Sequence, residues 1–439
     1  MRRGEEEHRG KMGIPGPGIG ALAVLPLMIL MLAASTRAQD NAAGSVNRYV
    51  QEAFSSNPSL DAMRERIRMK ENAAVRAGAL DDPKLRVGIT NVPIRSWDFR
   101  EEDMTGKEIG FSQMLPFPGK RAHRVEMGLR EKEGAEHDLE EMRNMLRAEI
   151  KMTYAEIASV RKQAEAVRRT RDVLRDIVGV TRESYAVGRG SQPDVLRGQV
   201  ESGRMREMLL ALENREKVLS VRLNTLAALP PVETVPPLDE QGEFAFPYTE
   251  GNLMAMYERD RPARKSLQAR IRKGDIGVIH ARHEGRPDFE VSFSYMQRDP
   301  MPDGTKRPDM FSSMVMMNLP IWKKEKVEPG IREMEAEKGM AVRELASLDL
   351  ETSDRIGRSL ATMENRLEAA VLYRTTLIPN AEQSFQATAE TYRVGKVDFP
   401  MLLDTVMAVL SFRREYAAMV GDLHVEKARL EAAVGRELE

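Results

Sequence analysis

The sequence contains no cysteine among its 439 residues, and aromatic residues make up only 5% of it. The missing cysteine excludes disulfide frameworks, thiolate zinc sites and cysteine nucleophiles. A bacterial lipoprotein signal needs a cysteine at its cleavage point, so we also expect no N-terminal lipidation. Lysine plus arginine (67) nearly balances aspartate plus glutamate (68), which gives no indication of a nucleic-acid-binding protein.

Motifs for catalysis and cofactor binding are missing as well. The sequence has no nucleophile–base arrangement, no phosphate-binding loop and no HExxH-type zinc motif. It therefore predicts a protein that is not an enzyme and that carries no cofactor.

The N-terminus has the pattern of an export signal. Basic residues precede an apolar run from Ile19 to Ala34, and small residues follow up to Ala38. The run is shorter than the ~20 residues that a membrane-spanning helix needs. We interpret residues 1–38 as a cleaved secretory signal peptide, with a retained anchor as the alternative and Met12 as an alternative start. No later segment reaches spanning length, so a mature protein that enters a bilayer must do so with strands.

An internal duplication is the most informative feature that is present. Four sites match in the same order in the two parts of the chain, at an offset of 204 residues that becomes 207 at the last site. Chance agreement at one site would mean little, whereas four sites in register indicate a duplication. The matches are Asn57-Pro58 with Arg261-Pro262, Pro83–Val87 with Pro287–Val291, Leu115-Pro116 and Lys120 with Leu319-Pro320 and Lys324, and Tyr185–Arg189 with Tyr392–Lys396.

This duplication divides the mature chain into two repeats, residues 39–228 and residues 251–439, joined by a Pro-rich connector at residues 229–250. Each repeat begins with a predicted helix of about 35 residues, near 46–80 and 251–284.

Two short strands follow in each repeat, because apolar residues alternate there with polar or small ones. The apolar positions are Leu85, Val87, Ile89, Ile109 and Phe111 in the first repeat and Phe289, Val291, Phe293, Tyr295, Phe311, Val315 and Met317 in the second.

Very long helices come next, at 119–186 and 323–393. At ~1.5 Å rise per residue each would extend about 100 Å. Their apolar residues recur every seven positions, which is typical of coiled-coil packing. Gly188 and Gly395 interrupt them, and the chain returns in helices at 194–228 and 401–435.

Four amphipathic strands do not close a barrel, and an open sheet edge in lipid leaves backbone groups unsatisfied. The chain must therefore borrow strands from its own copies, and three copies would supply twelve. We predict a mainly α fold with a small β part, in which the duplicated halves form, as a trimer, a 12-strand transmembrane β-barrel continued by a long α-helical periplasmic tunnel.

Three stretches carry a family resemblance: Asn57–Leu60, Gln113–Arg121 and Tyr185–Gln199. Through them the sequence resembles the outer-membrane efflux protein family, which is TolC-like. Residues 116–121, Pro-Phe-Pro-Gly-Lys-Arg, resemble the branch that works with heavy-metal pumps of the resistance-nodulation-division type.

The resemblance implies a homotrimeric channel subunit in the outer membrane of a Gram-negative bacterium, extending into the periplasm and surrounded by outer-membrane lipid. Its partners would be a periplasmic adaptor protein and an inner-membrane resistance-nodulation-division pump. It would conduct substrate passively, with heavy-metal cations as one candidate. A periplasmic coiled-coil scaffold or adaptor is the alternative function.

The resemblance also implies site residues at the periplasmic end. A ring of carboxylates would constrict the pore at Asp404, with Asp194 at the corresponding tip of the first repeat. The neighbouring family position, usually acidic, is Met401 here. Helix capping is the alternative role for both aspartates. The expected adaptor-docking residues are Tyr185, Gly188, Arg189, Tyr392, Gly395 and Lys396, for which a plain turn is the alternative.

Two groups of residues invite a metal-binding interpretation that we do not favour. His280 and His283, with Glu284 nearby, are placed at helical spacing, but a charged helix end explains them as well. The 28 methionines are abundant, yet methionine at helical and strand spacing usually packs. We therefore predict no metal site.

Overall fold

The computed structural model describes residues 45–238 and 246–438. The predicted signal peptide, residues 1–38, and part of the connector lie outside the described residues. The elements are α1 (Val46–Ser56), α2 (Pro58–Gly78), β1 (Lys84–Thr90), β2 (Gly106–Leu115), α3 (Lys120–Ala186), α4 (Gln192–Leu226), α5 (Glu250–Asp260), α6 (Pro262–His283), β3 (Phe289–Gln297), β4 (Met310–Met317), a first π-turn (Lys323–Val327), α7 (Glu328–Leu372), a second π-turn (Tyr373–Leu377), α8 (Ile378–Arg393) and α9 (Phe399–Val434).

The single helix predicted at the start of each repeat is wrong, because each is two helices. A proline disfavours helical backbone in the residue before it. Asn57 and Arg261 are accordingly extended, with ψ of 118° and 117°. Pro58 and Pro262 then occupy the first turns of α2 and α6, where a missing N–H costs nothing.

The long helix of the first repeat is confirmed as one continuous helix, α3, of 67 residues. Its counterpart in the second repeat is helical over the predicted range, 323–393, but it begins with the first π-turn and contains the second one between α7 and α8. A π-turn takes one more residue per turn than an α-helix, and such bulges are how long helices absorb inserted residues. The order of elements is otherwise the same in the two repeats.

Helix α3 lies at the centre of the helical part. Near the sheet it packs between α2 and α6, and α6 packs in turn on α7. Farther from the sheet α3 packs between α4 and α9. Most of the predicted seven-residue seam is buried there: Ile150, Ile157, Val160, Val167, Leu174 and Val178. The result is a layer of helices in which, among the described residues, α2 with α4 form one outer edge and α7 with α8 form the other.

The four strands form one antiparallel sheet in the order β1-β2-β3-β4. The central pairing joins the two repeats, since β2 belongs to the first and β3 to the second. In it Phe111 lies opposite Phe293, and Gln113 lies opposite Val291. Strands β1 and β4 are the edges.

The two faces of this sheet differ sharply in composition. Directly paired residues share a face, so the register assigns every strand residue to one of two sets. The apolar face contains Leu85, Val87, Ile89, Ile109, Phe111, Leu115, Phe289, Val291, Phe293, Tyr295, Phe311, Val315 and Met317, together with four polar residues, Lys107, Gln113, Gln297 and Ser313. The polar face contains Arg86, Glu108, Ser112, Glu290, Ser292, Ser294, Ser312 and five methionines.

Much of the apolar face is open to solvent in the single chain: Val87, Phe311 and Val315 are 73%, 71% and 68% exposed. Across residues 45–238 and 246–438, none of the helices combines the length and the apolar character that crossing a membrane would require. The fold-class prediction of a mainly α chain with duplicated halves and a small sheet is confirmed.

Candidate pore entrance at the paired helical tips

Both long helical hairpins reverse through the same backbone turn. Gly188 has φ +75° and Gly395 has φ +73°, a region that residues with a Cβ disfavour. Around each glycine the N–H groups satisfy the last carbonyls of the incoming helix: Arg189 N bonds Ser184 O at 2.8 Å, and Lys396 N bonds Thr391 O at 3.1 Å. These are Schellman caps, in which a glycine lets the chain leave the helix sharply.

The returning helices start with side-chain caps at equivalent positions. Ser191 Oγ accepts from the Asp194 N–H at 3.3 Å and donates to Asp194 Oδ2 at 2.7 Å. In the second repeat Asp398 takes the place of Ser191 and accepts from the Met401 N–H at 3.2 Å. The capping role weighed for Asp194 therefore belongs to Ser191, and Asp194 is its reciprocal partner. The Ser-x-x-Asp spacing is a sequence signal for this arrangement.

The two tips are joined by contacts that the sequence did not suggest. Thr181 Oγ1 and the Tyr392 hydroxyl lie 3.0 Å apart, which ties α3 to α8. Phe399 is buried in the apolar cluster below the tips. A Cβ at Gly198 would lie 3.2 Å from the Phe399 ring and 2.6 Å from Val178. The close approach of α4 to these two side chains therefore requires a glycine at this position.

The predicted docking residues differ in exposure. Tyr185 is 46% exposed on the outside of the first tip, and Gly188, Arg189, Gly395 and Lys396 are exposed too. Tyr392 is half-buried, and its hydroxyl is engaged by Thr181. Equivalent tyrosines in the two repeats thus have different surroundings, because only the second one lies between the two tips.

Asp404 lies on α9 one turn beyond Met401, and both side chains are exposed. Its sequence neighbours Leu402 and Leu403 are buried. In the described part of the chain Asp404 makes no hydrogen bond or ion pair, unlike Asp194 with its serine. The two aspartates therefore differ in their surroundings: Asp194 accepts a hydrogen bond from Ser191 at the start of α4, whereas Asp404 is exposed on the surface of α9.

The histidines are explained by local packing. His283 packs against His123 with ring centroids 4.9 Å apart and ring planes tilted by 43°, and its Nδ1 lies 2.9 Å from Ile279 O. Burial lowers the pKa of His280, and its Nε2 lies 3.7 Å from Glu284. Within the ranges that the structure covers, no three His, Asp or Glu side chains are grouped in a way that would hold a metal ion.

Comparison with known proteins agrees with this architecture. Residues 49–228 match the family model described as outer membrane efflux protein. The chain is similar in structure to the outer membrane protein VceC from Vibrio cholerae, with 18% identity, a TM-score of 0.74 and coverage of 90% of this chain and 97% of that one. The chain is also similar to the Campylobacter jejuni CmeC outer membrane channel, with 13% identity, a TM-score of 0.74 and coverage of 89% of this chain and 85% of that one.

The open state of the Neisseria gonorrhoeae MtrE outer membrane channel gives 13% identity, a TM-score of 0.66 and coverage of 90% and 89%. No curated protein sequence matches the chain. None of these descriptions names an enzyme. The resemblance seen in the sequence is confirmed: residues 49–228 of this chain match the outer membrane efflux protein family, and the fold of the chain is similar to that of outer-membrane channels.

Proposed function

We propose that three copies of this chain form an outer-membrane efflux channel that passively conducts substrate in a tripartite system. The observation that carries the proposal is the four-stranded sheet, with one exposed apolar face and two unpaired edges. In lipid those edges must be paired, and the edges of neighbouring copies are available for this. Three copies of four strands close a twelve-strand barrel with the apolar face toward lipid and the polar face toward the lumen.

The helical layer supports the same assembly. Helix α3 has 67 residues, about 100 Å at ~1.5 Å per residue, so the layer extends far from the sheet. Its uncovered outer edges would meet those of the next copy and close a hollow tunnel. A periplasmic scaffold, the rival function, gives no reason for the exposed apolar face of the sheet.

The direct test of this function is single-channel recording in planar lipid. Purified protein of trimeric mass should give discrete conductance steps. A protein that is freely soluble without detergent and gives no conductance under any opening condition would contradict the channel and favour the scaffold.

The adaptor and the pump belong to this proposal as partners at the periplasmic end. The exposed tips carry Arg189 and Lys396 on equivalent turns, so a trimer would present six cations around its end. We predict that R189E with K396E weakens binding of the adaptor from the same efflux system about tenfold or more, since six contacts worth ~0.2–1 kcal/mol each are reversed. Surface plasmon resonance measures this. R206E, on the exposed side of α4, is the control; equal loss in both variants would argue against tip docking.

Methionine placement in the sheet favours a soft metal cation as the substrate. Of the six strand methionines, only Met317 is on the apolar face; Met114, Met296, Met310, Met314 and Met316 are on the polar one. Methionines used only as apolar filling would be expected on the apolar face. Thioether sulfur is a ligand that selects monovalent copper and similar soft ions. A lumen lined by these side chains would offer such ions weak, exchangeable contacts.

Replacing Met314 and Met316 by leucine tests the substrate. Leucine keeps the side-chain volume but removes the sulfur, so folding and conductance for potassium should be unchanged. We expect silver-ion binding by the purified channel, measured by calorimetry, and silver tolerance of cells to fall in M314L/M316L. The matched control is M317L, on the opposite face. Unchanged silver binding in the double variant would remove metal cations from the proposal.

A further inference from the structure

The two repeats correspond in their side-chain contacts as well as in their sequence. Glu71 on α2 pairs with Lys132 on α3 at 3.0 Å, and Asp275 on α6 pairs with Lys338 on α7 at 2.7 Å. Asp275 follows Glu71 by 204 positions, and Lys338 follows Lys132 by 206. The equivalent contacts therefore use two different offsets.

The same two offsets recur along the repeat. Arg66 pairs with Asp138 at 3.8 Å, and Arg270 pairs with Glu344 at 3.7 Å. In the sheet, Leu85 opposes Phe111 and Phe289 opposes Met317. Elements α2 and β1 thus map onto α6 and β3 with an offset of 204, whereas β2 and α3 map onto β4 and α7 with 206. The match of Lys120 with Lys324 seen in the sequence is not a structural one, since Lys120 is buried and Lys324 is exposed.

The junction between the repeats inside the chain shows what an outer edge needs. Helix α6 buries Ser266 and Ala269 on the side that meets α3, at 3% and 0% exposure. The equivalent residues of α2, Ala62 and Glu65, are exposed because no helix covers that side. Strand β3 likewise pairs with β2 on one side, whereas the equivalent side of β1 is open.

We infer, on the basis of the proposed trimer, that a second copy of this chain covers these surfaces in the register of the internal junction. Inside the chain, Phe111 opposes Phe293 and Gln113 opposes Val291. The pairs between copies follow when each β2 residue is replaced by its β4 equivalent, 206 positions later, and each β3 residue by its β1 equivalent, 204 positions earlier. These are Met317 with Ile89 of the partner subunit and Leu319 with Val87 of the partner subunit.

The exposed residues fit this register. Met317 and Leu319 are 57% and 66% exposed, and Val87 and Ile89 are 73% and 50% exposed in the single chain. The pairing places apolar residues opposite each other on the lipid-facing side. It also extends β4 by Asn318 and Leu319, which lie outside the strand in the single chain. Pro320 has no N–H to donate, so the regular ladder ends there.

The helices make a looser junction between copies than within one. The pair of Glu133 with Arg272 at 2.5 Å joins α3 to α6 inside the chain. At the equivalent place between copies, Gly339 takes the position of Glu133 and would face Arg68 of the partner subunit, so this ion pair cannot form. Gly134 lies against Ser266 and Ala269, and the residue equivalent to it is the larger Met340. The strand edges, rather than helix ion pairs, therefore determine how copies align.

Disulfide trapping tests the register, and the natural absence of cysteine makes the background clean. Directly opposed residues on antiparallel strands have Cα atoms ~4.5–5.5 Å apart, within disulfide range. A slip of two residues adds a displacement of about 7 Å. We expect oxidised L319C/V87C protein in native membranes to run as covalent dimers and trimers on non-reducing gels. Two pairs serve as controls. M317C/V87C would be directly opposed if the offset were 204 throughout, and in L319C/G88C the two side chains point to opposite faces of the sheet.

The outcomes separate this inference from the proposed function. Faster cross-linking of M317C/V87C than of L319C/V87C would overturn the register while leaving the trimer in place. Trimeric mass of the cysteine-free protein without cross-linking of either pair would also overturn it. A monomeric mass in lipid together with no conductance would instead contradict the proposed function on which the inference rests.

Discussion

An arginine on the apolar face of the sheet is expected to prevent insertion into the outer membrane. Val87 and Gly88 are adjacent on β1, exposed, and directed to opposite faces. A lipid-facing arginine near the bilayer midplane costs roughly 2–4 kcal/mol, and three copies bring the total to about 6–12 kcal/mol. V87R should therefore accumulate outside the outer membrane, as measured by membrane fractionation and by the yield of trimer in liposomes.

The matched control for this prediction is G88R. A Cβ at Gly88 would have no atom within 4 Å apart from its chain neighbours, and it would point to the polar face. G88R should therefore insert and should change only conductance. If G88R were excluded from the membrane and V87R were not, the assignment of the two faces would be inverted.

Charge reversal at Asp404 is expected to turn a cation-favouring pore into an anion-favouring one. At ~8 Å in water-like surroundings one carboxylate stabilises a monovalent cation by about 0.5 kcal/mol, so three contribute about 1.5 kcal/mol. D404K replaces this by a similar repulsion, a change of about 3 kcal/mol before salt screening. The reversal potential in a potassium chloride gradient measures the selectivity.

The control for Asp404 is E390K, which changes a solvent-exposed carboxylate on α8 whose partner is Arg393. It should leave the selectivity unchanged. Because Asp194 is held by Ser191, D194N should lower the stability of the tip more than it changes ion selection. A D404K channel with the selectivity of the unmodified protein would exclude Asp404 from the constriction.

The sequence by itself predicted much of this protein because its strongest signals are local or periodic. The seven-residue apolar repeat of α3 and the two-residue alternation of the strands depend only on side chains along one element. The glycines at 188 and 395 report a backbone conformation that few other residues adopt. Duplication then allowed each weak signal to be checked against its copy, and the outer-membrane efflux resemblance followed from the same residues.

Only the tertiary structure decided how the elements meet. Asn57 and Arg261 break their helices through the prolines that follow, whereas the sequence pattern predicted one helix at the start of each repeat. Tyr185 and Tyr392 read alike in sequence but differ in burial, because only Tyr392 lies between the two tips. The offset of 206 is visible in contacts such as Lys338 with Asp275, since a register between elements is set by packing and not by either sequence alone. The methionines were assigned to a face only when the strand pairing was known, because a slip of one residue would have exchanged the faces.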